Sequence, residues 1–253
     1  MRLVPVLLSL AAVSLAAPPN FFNDAYDFTD ELSGYYTKVS QYINRVRHST
    51  RPFAVTCDVS KITLPSYASG LPSPDGLKPR YVALGRGTQN YTCADSTSKS
   101  TPKAIGAVAN LYNATCIAAN YPDLMEMLPN VAYTIALPTN EYARFPPADI
   151  QLMGHHFFYN PTVPEFNLDT TAAKQYGIAM TNKKAQLNAP SNASQGENGA
   201  VAWLYLTTIS GTVGNYRSVY RVNTASGAAP DTCKGMPAAF EVQYSANYYF
   251  FGK

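Results

Sequence analysis

Long charged side chains are scarce in this 253-residue chain: Asp, Glu, Lys and Arg make up 14% of it, against roughly 25% in ordinary soluble domains. That scarcity excludes a disordered, charge-rich chain and a coiled coil, both of which need many more. The 19 Lys and Arg against 16 Asp and Glu leave a formal charge of +3, and no basic run occurs. A nucleic-acid partner, which asks for a clustered cationic face, is therefore not expected. There is one Trp and there are three His and four Cys, none of the Cys in a Cys-x-x-Cys pair, so structural zinc and dithiol redox chemistry lack their usual spacing. No Gly-x-Ser-x-Gly elbow is present for a serine hydrolase. After residue 15 no apolar run approaches the roughly 20 residues needed to span a bilayer, so no membrane span is expected.

What is abundant is Tyr (19), Pro (19) and Gly (15), a mixture that favours strands and tight turns. Met1-Arg2, the apolar run Leu3–Leu15 and Ser14-Leu15-Ala16 form the three parts of a secretory leader. Cleavage is expected after Ala16, giving a secreted protein, extracellular or held in a cell wall. An even number of cysteines in that oxidising setting predicts two disulfides, with three pairings open. Asn-x-Ser/Thr sequons stand at Asn90, Asn113 and Asn192; Asn192, in a Ser/Asn/Gly-rich stretch, is the best exposed, while Asn90 falls in a strand.

Leu32, Tyr35, Val39, Tyr42, Ile43 and Val46 recur at helical spacing and, with Phe28, predict one amphipathic helix over about Asp27–Arg47. Asp24 or Thr29 can cap its start, and Arg45, Arg47 and His48 enrich its last turn. From Arg80 the period changes to two. Expected strands are 81–84, 88–93, 104–112, 131–136, 154–159, 165–168, 176–180, 200–209, 215–223 and 241–251, with a single helical turn at 122–128. Strands this close together, without crossover helices, predict an antiparallel all-β fold, a β-sandwich or flattened barrel behind an N-terminal amphipathic helix. The expected organisation is a signal peptide (1–16), a helix and connector (17–56) and a single β domain (57–253).

Four segments occur in order: Gly85-Arg-Gly-Thr-Gln-Asn-Tyr-Thr-Cys93; Gly154-His155-His156-Phe157-Phe158; Tyr220-Arg-Val-Asn-Thr224 with Ala229-Pro-Asp-Thr-Cys233; and Tyr244-Ser-Ala-Asn-Tyr-Tyr-Phe250. Together they resemble the fungal branch of the family catalogued as domain of unknown function 3455, over roughly Cys57–Phe251. The family has no established activity. The resemblance implies the pairing Cys93–Cys233 and Cys57–Cys116, and makes the preceding helix a lineage-specific addition. A malate dehydrogenase-type activity is excluded by the residues. Gly85-Arg-Gly87 resembles the start of a dinucleotide loop, but Asn90 stands where a third Gly or Ala belongs, and a strand follows instead of a helix. No cofactor and no metal site are expected.

Two kinds of chemistry are left. Trp203, Tyr216, Arg217 and Arg221 lie on expected strands among many tyrosines, and such residues on one sheet face would hold a polysaccharide or an extracellular protein by stacking and polar tips. The competing reading is that alternate aromatics simply fill the core. By parity, Tyr244, Tyr248 and Phe250 share one face, Tyr249 and Phe251 the other. The alternative is an extracellular hydrolase or metal-dependent enzyme using His155 or His156 with Glu165, although neighbouring strand residues point to opposite faces and cannot readily share a metal. Glu141, Glu165, Asp169, Glu197 and Glu241 are scattered carboxylates from which sequence alone singles out no glycosidase pair. A third reading is a purely structural wall or coat component.

Overall fold

Thr29 begins the ordered helix: its Oγ1 accepts from the Leu32 backbone N–H at 3.3 Å, an N-cap contact. In the computed structural model, which describes residues 29–47 and 56–253 except 138, 139, 141 and 143, this helix α1 runs Asp30–Arg47. The expected leader, Asp24, Asp27, Phe28, His48 and Glu141 lie outside the described residues. Asp30 and Glu31 occupy its first turn, Arg45 and Arg47 its last, each favourable to the helix dipole. Leu32 and Tyr35 are buried, and the polar face reaches across to a second helix through Lys38 Nζ, 2.9 Å from Asp123, and Tyr42 Oη, which donates to Asp123 at 2.6 Å.

Eight antiparallel strands follow: β1 (Lys78–Thr92), β2 (Lys103–Asn113), β3 (Leu152–Asn160), β4 (Val163–Thr171), β5 (Lys174–Leu187), β6 (Trp203–Thr208), β7 (Tyr216–Ser226) and β8 (Ala239–Gly252). Each pairs with the next, and β8 returns to β1, so the sheet closes into an up-and-down barrel. Closure decides between the two architectures left open by the sequence. Helices α2 (Thr115–Asn120) and α3 (Pro122–Thr134) are inserted between β2 and β3.

Two expected elements differ. Residues 131–136, read as a strand, mostly continue a helix that is 13 residues long rather than one turn. The expected strands 81–84 and 88–93 are one strand, because Gly85 and Gly87 do not break it. Both glycines are required by close packing across the wall. A Cβ at Gly85 would lie 2.5 Å from the Tyr248 ring, and one at Gly87 would fall on the Val108 carbonyl oxygen and Ala109 Cα of β2. Gly87→Ala is expected to cost about 1–3 kcal/mol, in line with overpacked cores. Urea unfolding measures it; an unchanged midpoint would show that the strands separate without penalty.

The core has two shells because the strands alternate. Tyr244, Ala246, Tyr248 and Phe250 of β8 point into the barrel with Ala83, Leu111, Phe166, Leu168 and Val219. Tyr249 and Phe251 point outward and pack with Val82, Leu84, Tyr220 and Val222 beneath Leu32, Tyr35, Leu128 and Val131 of the helices. An eight-strand barrel is just wide enough for side chains to fill it, and here aromatic rings do so: Phe166 meets Tyr248 at 5.3 Å and Phe250 at 5.5 Å. Two disulfides, Cys57–Cys116 and Cys93–Cys233, tie the segment before β1 to α2, and the end of β1 to the β7–β8 connection.

Candidate functional site

The polar residues of the outer wall explain how α3 is held. Pro129 lies inside the helix and has no N–H to give to the Met125 carbonyl four residues earlier. Asn247 Nδ2 donates to that carbonyl at 2.8 Å, and Ser245 Oγ donates to the carbonyl of Pro129 itself. At the helix end Arg86 is 1% exposed. Its Nε donates to Ala132 O at 2.8 Å, and its Nη2 to Ile135 O at 3.1 Å and Gln243 Oε1 at 2.5 Å. Nη1 completes the set on Gly87 O and Tyr244 O, each at 3.3 Å. Burial lowers the guanidinium to about 10, so it is charged at neutral pH and faces the negative end of the helix dipole. Arg86, Ser245 and Asn247 belong to two of the segments on which the family resemblance rests, and their role there is structural.

The expected aromatic binding face does not form. Trp203 is buried in the outer shell, 5.2 Å from the Tyr67 ring. Tyr216 lies inside the barrel, where its hydroxyl donates to the Tyr176 carbonyl. Arg217 is exposed, with Nη1 donating to Tyr216 O at 2.8 Å, and Arg221 is buried with its Nη2 donating to Ala202 O at 2.8 Å. The physical reason is that this barrel has two apolar surfaces to fill, its lumen and its helix-covered wall, and the strand aromatics fill both.

His155 and His156 separate as their parity demands. His156 stacks on Phe166 at 4.3 Å inside the barrel, and its Nδ1–H donates to the Glu165 backbone carbonyl at 2.8 Å. Burial, reinforced by the nearby Arg221 cation, lowers its imidazole to about 4. The link to Glu165 thus runs through main chain. The Glu165 side chain, adjacent in the strand to inward Phe166, takes the other face, and burial raises its carboxyl above the usual range. The expected His156–Glu165 acid–base pair is not assembled. A shallow groove of about 480 Å³ on the wall is lined by His155 and His156 with Tyr142, Phe157, Asn167 and Asp169, although the His156 ring is stacked on Phe166; Asp169 Oδ1 accepts from the Gly177 N–H at 2.6 Å. Among the described residues no group of three or more His, Cys, Asp or Glu is placed to hold a metal ion, and no helix is long and apolar enough to cross a membrane.

A cleft of about 580 Å³ opens where the end of α3, the connection between β5 and β6, the β7–β8 connection and the start of β8 converge. Tyr133 and Phe240 give it two rings, Glu197 and Glu241 two carboxylates, Asn198 and Gln243 two amides. Of the five scattered carboxylates, the fold brings these two to one place. Phe240 is fixed by stacking on Tyr91 at 5.5 Å and 20°, and the Tyr133 ring by the Arg86 guanidinium 5.9 Å away. At the cleft floor Ser226 has φ 58°, a left-handed backbone that a serine adopts at a cost of order 1 kcal/mol. It is held by its N–H on Ser194 O at 2.7 Å and by Val201 N–H on its own carbonyl at 2.9 Å. Sequence reasoning missed the cleft because Tyr133 stood in an expected strand and Glu197 in a loop. Glu197 is the one charged residue in the Asn/Ser/Gly-rich stretch 188–199.

The fold and cleft define a disulfide-closed, helix-buttressed antiparallel barrel with an open polar–aromatic cleft at one end. Residues 72–252 match the family described as protein of unknown function (DUF3455), and residues 8–72 match one described as protein of unknown function (DUF2990). The chain belongs to the first of these, which takes in the whole barrel from β1 to β8. The second match covers α1 and the residues leading to the barrel. No curated protein and no solved structure matches the chain.

Proposed function

We propose that this chain is a secreted fungal protein, cleaved after Ala16 and glycosylated at Asn192, that binds a neutral hydroxyl-rich polymer such as cell-wall glycan in the cleft between Tyr133 and Phe240. The mature protein then has two parts, a helix and connector (17–56) and the barrel domain (57–253). The observation that carries this reading is the cleft's mixture of two fixed rings with paired carboxylates and amides. Sugar faces stack on aromatic rings, and vicinal hydroxyls pair with carboxylate and amide groups. The two disulfides suit an oxidising compartment. Asn192 is exposed on the loop that carries Glu197, whereas Asn90 and Asn113 are half-buried and Asn113 Oδ1 accepts from Thr115 N–H at 3.1 Å.

Affinity chromatography on chitin, β-glucan and mannan tests the proposal. Retention is expected on at least one matrix and is expected to weaken about tenfold, the equivalent of roughly 1.4 kcal/mol, in Phe240→Ala and Glu241→Gln. Passage of the wild-type protein through all three columns, or retention unaffected by both substitutions, rejects it.

A further inference from the structure

The two disulfides sit in opposite surroundings. Cys93 and Cys233 are 8% and 0% exposed, and main-chain hydrogen bonds from both residues fasten the neighbouring chain around them. Cys57 and Cys116 are both exposed. So are Thr56, Val59, Ser60 and Lys61 beside Cys57, and no residue of the short helical turn Val59–Lys61 is buried. The chain on each side of this outer bridge is anchored without help from sulfur. Ile62 is packed in the outer shell with Ala118 and Ala119 of α2, and Thr115 Oγ1 accepts from the Val82 N–H of β1 at 3.1 Å. Asn120 Nδ2 also donates to the Thr56 carbonyl at 3.2 Å. The outer bridge joins the two family-matched stretches, since Cys57 falls within residues 8–72 and Cys116 within residues 72–252, whereas both ends of the inner bridge belong to the barrel match.

We propose that Cys57–Cys116 is a thiol-exchange site, a clasp that an external dithiol opens on the folded protein while Cys93–Cys233 stays closed. A thiolate of the dithiol attacks one of the two exposed sulfurs and forms a mixed disulfide; the S–S bond breaks, and its electron pair leaves on the other cysteine, which takes a proton from water. The second thiolate of the reductant then attacks the mixed disulfide and releases the remaining cysteine, which is protonated in turn. The net change moves two electrons: the dithiol becomes a disulfide, and the cystine becomes the thiols of Cys57 and Cys116. Attack needs access to sulfur, which the buried Cys93–Cys233 pair denies until the chain around it opens. Opening the clasp frees the segment before β1 from its covalent hold on α2 and leaves the cleft alone. The stability of the protein then follows the redox state of its surroundings, and its binding end does not.

The test incubates the folded, disulfide-intact full chain with dithiothreitol in native buffer, stops samples with iodoacetamide, and reads alkylation at each cysteine by peptide mass spectrometry. Cys57 and Cys116 are expected to be alkylated together, about ten times faster than Cys93 and Cys233 or more. The rate at the outer pair is expected to rise in proportion to dithiothreitol, as direct attack on the folded chain requires. The protein carrying only that pair reduced is expected to keep its strand-type circular dichroism, with a urea midpoint lowered to that of Cys57→Ser/Cys116→Ser. Equal rates at the two bridges, or faster opening of Cys93–Cys233, overturn the proposal. So does a rate at Cys57 and Cys116 that is indifferent to dithiothreitol concentration, because unfolding would then be the step that exposes the sulfurs. Loss of the circular dichroism signal on opening the outer pair alone overturns it as well. None of these readouts depends on what the cleft binds.

Discussion

Replacing Cys93 and Cys233 together by serine is expected to remove about 5 kcal/mol of stability, the larger of the two disulfide effects. The bridge spans 140 residues, and chain-entropy arithmetic for a closed loop of that length gives about 5 kcal/mol, against about 4 kcal/mol for the 59-residue separation of Cys57–Cys116. The two bridges also differ in what they hold. Cys233 lies in the β7–β8 connection, which supplies Pro230 and Met236 to the cleft. Its neighbourhood is pinned by Cys233 N–H on Ser100 O at 2.8 Å and by Cys93 N–H on Ala238 O at 2.9 Å. Cys57 and Cys116 instead join the segment before β1 to α2, away from that cleft.

The prediction therefore has two parts. Cys93→Ser/Cys233→Ser lowers both the urea midpoint and glycan retention, whereas Cys57→Ser/Cys116→Ser lowers the midpoint and leaves retention intact at temperatures where it is folded. Equal losses of retention in the two variants would mean that the β7–β8 connection does not shape the cleft. Equal midpoints to wild type in both would mean the unfolded chain is already as restricted without its bridges.

How far the residues announced this molecule depends on what each pattern encodes. The two-residue alternation of β8 was enough to divide Tyr244, Tyr248 and Phe250 from Tyr249 and Phe251, because strand geometry fixes opposite faces whatever the fold. The 3.6-residue pattern of α1 was equally legible: the described helix, Asp30–Arg47, ends at the expected residue. Closure was not legible, since it depends on the first strand meeting the last, and a sandwich uses the same alternation. Helix α3 was misread for a physical reason. Its apolar run carries β-branched residues and an internal Pro129, both of which argue against a helix locally. The helix survives because Asn247, 122 residues away in sequence, takes the carbonyl that the proline leaves without its donor. The cleft was invisible for the same cause: Tyr133, Glu197 and Glu241 come from three separate elements, and their meeting is a property of the closed barrel. His155 and His156 drew attention as a pair, but parity already turned their side chains to opposite faces.

His156 gives the second large effect, and it is one of pH. Its folded imidazole titrates at about 4, depressed first by burial and then by Arg221, while in the unfolded chain it returns to about 6.5. Above the unfolded value both states hold it neutral and it adds nothing to the pH dependence. Between the two values the unfolded chain takes up a proton that the folded chain refuses, so acidification favours unfolding. At about 1.4 kcal/mol per unit the loss accumulates to roughly 3 kcal/mol by pH 4 and then levels off, because the folded state also becomes protonated. Glu165 acts in the opposite sense over part of that window: its carboxyl is raised by burial, so the folded state binds a proton earlier than the unfolded chain and gains from it. The histidine is therefore isolated by difference. His156→Gln, which can keep a donor near the Glu165 carbonyl, is expected to be about 1–2 kcal/mol less stable than wild type at pH 7, through lost stacking on Phe166. It is expected to draw level with or exceed wild type by pH 4. Chemical denaturation at half-unit steps from pH 7.5 to 4 measures both curves. Parallel curves would mean that the imidazole is already protonated inside the barrel or is open to water, and in either case the stacked, carbonyl-bound neutral ring is the wrong description of the lumen.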